Sequence, residues 1–85
     1  MRSKPQRREG LQVNRVSDGY VIYRQAAEHV HYLNLTGAFV FELCDGETPV
    51  DWMPELVREA FDLDRPPADE VRACLGELFG ASLIE

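Results

Sequence analysis

The stretch HVHYLNLTGAFVFELCDG, residues 29–46, changes its period at Asn34. Before that residue, His29-Val30-His31-Tyr32-Leu33 reads as a strand, with β-branched and aromatic residues among its five. After it the period becomes helical. Phe39, Val40 and Leu43 fall on one face, with Thr36 nearby. Asn34 or Thr36 can cap this helix by accepting its orphan N–H groups. Asp45-Gly46 ends it, because glycine adopts the left-handed C′ conformation at least cost.

Two more extended segments lie upstream. Leu11-Gln12-Val13-Asn14-Arg15-Val16 alternates apolar and polar, as a half-buried strand does. Ser17-Asp18-Gly19 is a turn cluster. Tyr20-Val21-Ile22-Tyr23-Arg24 follows, and Ala26-Ala27-Glu28 makes a short reversal into the strand already described. Connections this short require an antiparallel meander with the first and third strands at its edges.

Downstream, Pro54 decides where the second helix begins. A start at Thr48 would bury that proline in the helix interior, at a cost of about 3 kcal/mol. A cap at Asp51 instead leaves it in the tolerated first turn, with the helix running to about Phe61 and turning Leu56, Val57, Ala60 and Phe61 inward. Leu63-Asp64-Arg65-Pro66-Pro67 is a linker. The last helix runs from about Ala68 to Phe79, and Val71, Cys74, Leu75, Leu78 and Phe79 form its apolar arc. Gly80 stops it, and Leu83-Ile84 pack as a short tail. The order βββααα predicts an α+β domain, a three-stranded antiparallel sheet followed by three helices. It is winged helix-turn-helix-like.

At 85 residues the chain holds one domain with a thin core. Residues 1–10 carry a net charge of +3 and no apolar pattern, and read as a flexible lead-in to a domain over 11–85. No apolar stretch follows them, so they are not read as a secretory signal, and the expected location is cytoplasmic. No apolar run reaches the ~18 residues of a membrane span. Cys44 and Cys74 sit in apolar-periodic segments and read as buried small hydrophobes in a reducing compartment.

The chemistry of sites is sparse. His29 and His31 alternate onto one strand face, but zinc needs three or four ligands and nothing completes a set. Nothing places Cys44 beside a histidine as nucleophile and base. The six glycines are dispersed and form no phosphate loop. No catalytic residue, metal site or cofactor is expected. A winged-helix DNA-binding or regulatory domain is the alternative reading. Against it, from Glu28 onward the chain carries net −10, which repels phosphate backbones. The second helix exposes Asp51, Glu55, Arg58 and Glu59, and the third Asp69, Glu70, Arg72 and Glu77. What remains is the edge strand, whose unpaired backbone groups can receive an extended peptide.

Within residues 32–46, Leu33, Asn34, Thr36, Ala38, Val40, Leu43, Asp45 and Gly46 match the spaced pattern of the PqqD family, which the chain resembles. The close matches too: Val71, Leu75 and Leu78, then Leu83-Ile84. The tail lacks the Gly-Trp pair of the quinone-cofactor branch, so a lasso peptide or another modified-peptide pathway fits equally. The resemblance implies a non-catalytic peptide chaperone, a recognition element for precursor peptides. It implies that a leader peptide lies as a fourth strand on the third strand, in a groove against the third helix. Carried over, the backbone of His29, Val30, His31, Tyr32 and Leu33 makes one wall, and Arg72, Leu75 and Phe79 make the other. A peptide-modifying enzyme would be the second partner: a radical SAM enzyme, a cyclase or a peptidase. Neither nucleic acid nor membrane is an expected partner.

Overall fold

A computed structural model describes residues 3–24 and 29–85. Three strands come first, β1 (Leu11–Val16), β2 (Gly19–Arg24) and β3 (His29–Asn34), followed by three helices, α1 (Leu35–Leu43), α2 (Met53–Phe61) and α3 (Ala68–Gly80). A single 3-10 turn, Val50–Trp52, leads into α2. The sheet is antiparallel in the order β1-β2-β3, so β1 and β3 are its edges. This is the α+β order expected from the sequence. The expected reversal at Ala26-Ala27-Glu28 lies outside the described residues.

Local rules set the boundaries. The Asn34 side chain accepts the Gly37 N–H at 2.8 Å, so Asn34 is the α1 cap. Gly46 follows the helix with φ +79°. Pro54 sits in the first turn of α2, where it removes no helical bond. That helix ends on Asp62 in the left-handed region, φ 53°.

The core lies among the helices rather than under the sheet. Val40 and Phe41 of α1 and its C-cap Cys44 meet Met53 and Val57 of α2, Val71, Leu75 and Leu78 of α3, and the tail residues Leu83 and Ile84. Ile22 is the one strand residue in this cluster. Two expectations are corrected here. On α1, Val40 is buried as expected, but Phe41 and the C-cap Cys44 join it in the core, while Phe39 and Leu43 are partly buried at its margin. On α2, Met53 and Val57 are buried, Leu56 and Phe61 half-buried, and Ala60 exposed.

Residues 3–8, read from sequence as a disordered lead-in, are tied into the fold. Pro5 is buried. The Arg7 N–H donates to the Cys44 carbonyl at 2.9 Å, and Gly46 donates to Pro5 at 2.9 Å. On its other side Gln6 exchanges two backbone bonds with Glu85, at 3.1 and 2.8 Å, and Arg8 donates to Leu83 at 3.0 Å. The segment is thus the middle rung between the end of α1 and the chain's tail. Arg7 also donates to the Phe41 and Glu42 carbonyls at 3.3 and 2.6 Å, and its guanidinium lies 5.8 Å from the Phe41 ring centre. A cation on the last carbonyls of α1 suits the negative end of the helix dipole.

Candidate functional site

The β1–β2 hairpin fixes which backbone groups of β3 face outward. Its loop is two residues long, with Val16 paired to Gly19. In such a hairpin the residues flanking the loop exchange both backbone bonds, and bonded pairs then alternate along the strands. The groups of Tyr20 and Ile22 therefore point away from β1 and toward their partners Leu33 and His31 on β3. The N–H and C=O groups of Val30 and Tyr32 point the other way, toward the open edge.

No backbone contact joins β3 to α3, although α1 touches both. The gap is an open groove of about 270 Å³. Tyr32, Leu33 and Asn34 line one side, with Gly37 of α1 at its end. Glu70, Ala73, Cys74, Glu77 and Leu78 of α3 line the other. Glu70, Ala73, Cys74 and Glu77 follow the i, i+3, i+4, i+7 spacing of one helix face. A Cβ on Gly37 would lie 3.3 Å from Asn34 Oδ1 and 3.5 Å from the Leu33 Cβ. The first contact is tight and falls on the oxygen that caps α1, whereas the contact with Leu33 is an ordinary van der Waals distance.

Two side-chain states and the lack of a cation define the groove's chemistry. The Tyr32 hydroxyl donates to the Asp18 carbonyl at 3.1 Å, and its pKa is raised by hydrogen bonding to the Asp18 side chain, then by desolvation and the Asp18 charge. The half-buried Cys74 thiol is raised by burial first, then by the Glu70 and Glu77 carboxylates. No Lys or Arg lines the groove among the described residues.

The strand half of the sequence-predicted wall is partly here. Tyr32 and Leu33 line the groove, while His29 and Val30 are exposed farther along the edge. His31 is half-buried, and its Nε2 has no hydrogen-bond partner among the described residues. The helix half is elsewhere. Arg72 and Leu75 line a second hollow with Val50, Asp51, Pro54, Ala68 and Val71, and Leu75 is itself core. Arg72 pairs with Asp69 at 3.5 Å. Phe79 is 46% exposed and lines neither hollow. At about 100° per residue, Arg72 and Phe79 fall on one flank of the buried Val71-Leu75-Leu78 stripe and the groove face on the other. The groove is also lined by Asn34, Gly37, Glu70, Ala73, Cys74, Glu77 and Leu78, which the sequence reading did not assign to a binding wall. Their signal was the small-and-acidic row on α3, which resembles an ordinary solvated face.

Other chemistry finds little support. Cys44 donates its Sγ proton to the Val40 carbonyl at 3.3 Å, and burial pushes the thiol up to about 12. A thiol held protonated is a poor nucleophile. His29 and His31 stand edge to face, 6.0 Å apart, and no cluster of three metal-binding side chains occurs among the described residues. No helix among them is long and apolar enough to cross a membrane.

No curated protein and no solved structure matches the chain. The family model described as Coenzyme PQQ synthesis protein D (PqqD) matches residues 19–84. The matched span starts at β2 and takes in β3, all three helices and the tail, hence both walls of the groove. With most of its length inside that match, the chain belongs to the PqqD family.

Proposed function

We propose that the protein is a non-catalytic adaptor that binds the leader of a ribosomally made precursor peptide and presents it to a modifying enzyme. The leader adds to β3 as a fourth strand and lays alternate side chains into the groove under α3. The observation that carries this reading is the open β3 edge facing that groove. Backbone bonds from Val30 and Tyr32 supply affinity, and the groove supplies selectivity. The enzyme that receives the captured peptide is a radical SAM enzyme, a cyclase or a peptidase. The family membership supports the adaptor role. So does the acidic surface of α3, which disfavours a nucleic-acid partner.

Calorimetry with the leader of a precursor encoded beside the gene tests the proposal. The expected affinity is micromolar or tighter, about −8 kcal/mol or better. Neither heat nor backbone amide shifts in β3 with any such leader would overturn it.

A further inference from the structure

Glu70 and Glu77 both line the groove, and neither holds an ion pair among the described residues. Seven residues apart on α3, they stand about 10.5 Å from one another along the helix axis, on nearly the same face. Between them lie the small side chains of Ala73 and Cys74, above Leu33 and Leu78. The strand side brings no charge. Glu70 stands in the first turn of α3, where negative charge suits the helix dipole. Glu77 lies two turns on and has no such local role. Both carboxylates act on the Cys74 thiol, so both fields reach the middle of the groove.

We infer that the segment held in this groove is cationic, with Lys or Arg two residues to either side of an apolar side chain. This rests on the strand-addition reading above. An added strand turns every second side chain toward α3, about 6.7 Å apart, so positions i and i+4 span about 13 Å. The flexible stems of Lys and Arg take up the difference from the carboxylate spacing. The apolar side chain at i+2 then sits over Ala73 and Cys74, where the helix leaves most room. An acidic segment meets two unpaired carboxylates and a body of net −10 from Glu28 onward, and is repelled before it docks.

The test selects a displayed library of random twelve-residue peptides against the full chain. Winning peptides are mapped by backbone amide shifts. The expected winners carry basic-x-apolar-x-basic and shift the amides of Val30 and Tyr32. The double variant Glu70→Gln/Glu77→Gln, with its melting point checked against the parent, should bind them about tenfold more weakly and lose the selection for Lys and Arg. Winners that shift β3 but are neutral or acidic overturn the charge inference and leave strand addition standing. So do cationic winners that the double variant binds unchanged. A selection yielding no peptide that shifts β3 overturns both.

Discussion

Gly19 holds φ at +151°, and a Cβ added there would collide with the Leu33 carbonyl oxygen. The residue is thus doubly constrained, by its backbone conformation and by the close approach of β3. Gly19→Ala is expected to cost about 2–4 kcal/mol and to displace the strand that borders the groove, read by denaturant unfolding and by β3 amide shifts. Proline placed along β3 separates the two roles of its backbone. At Tyr32, whose N–H faces out, it should leave the melting point nearly unchanged and abolish leader binding. At Leu33, whose N–H faces β2, it should unfold the domain. A scan in which both positions melt alike would show that the outward parity is wrong. The cysteines differ in the same local way. Burial pushes the Cys44 thiol up to about 12 from an ordinary 9.0, against the lowering effect of Arg7. The unfolded thiol loses its proton near 9 while the folded one keeps it. The Cys44 contribution is therefore intact below pH 9 and is lost as pH rises through the window from 9 to about 12. Denaturation midpoints at pH 8 and pH 10.5 should differ in that sense. Iodoacetamide should label Cys74 before Cys44, as followed by mass spectrometry of the intact chain.

Each helix start shows a different balance between local signal and tertiary packing. Asn34 caps α1 through a bond its own side chain makes three residues on, so the sequence narrowed the cap to Asn34 or Thr36, and the structure takes Asn34. Asn34→Ala is expected to cost about 1 kcal/mol in a thermal or denaturant melt. Pro54 fixed the start of α2 almost as well, because proline excludes all but the first turn; the expected cap Asp51 lies instead in the 3-10 turn, and the N-cap is Trp52, which makes no side-chain bond. The buried face of α1 was not. Its nine residues carry only Thr36 and Glu42 as polar members, so the periodicity is too weak to choose between Phe39 and Phe41. Packing chose Phe41, which makes a T-shaped contact with Tyr20 of β2 at 6.5 Å and lies beneath the Arg7 guanidinium. The docking of residues 3–8 was illegible for a related reason. Their partners are Cys44, Gly46, Val50, Leu83 and Glu85, and no short window of sequence contains both ends of such bonds. Deleting residues 1–9 is therefore expected to cost at least 2 kcal/mol, roughly two or more backbone bonds plus the Arg7 cap. An unchanged melting temperature would show that the segment contributes nothing. The groove wall on α3 fell between these cases. Its face was visible as a row, but the rotation that aims it at β3 depends on how Val71, Leu75 and Leu78 seat in the core.

Across the whole molecule the sheet and the helices divide the labour. The helices and tail hold nearly all of the core; the sheet contributes Ile22, with Leu11 of β1, Tyr20 of β2 and Leu33 of β3 packed at its margin. The outward backbone groups of β3 take no part in that packing, so its edge can accept another strand without repacking the interior. Charge acts at the same scale. With net −6 overall and its basic residues concentrated at the start, the protein should give no discrete shifted band with duplex DNA at about 150 mM salt. A salt-sensitive, sequence-dependent shift would instead favour a regulatory role. The two backbone bonds between Gln6 and Glu85 also place the beginning and the end of the fold side by side, held one strand spacing apart. Such a layout suits circular permutation. A short flexible loop can join residue 85 to the start of the ladder, and new termini can open in the exposed stretch around Asp64 and Arg65, where few bonds would be cut. In that rearranged chain the order of elements becomes α3, β1, β2, β3, α1, α2. The groove keeps its shape although its two walls, now joined through the new loop, reach it in the opposite order.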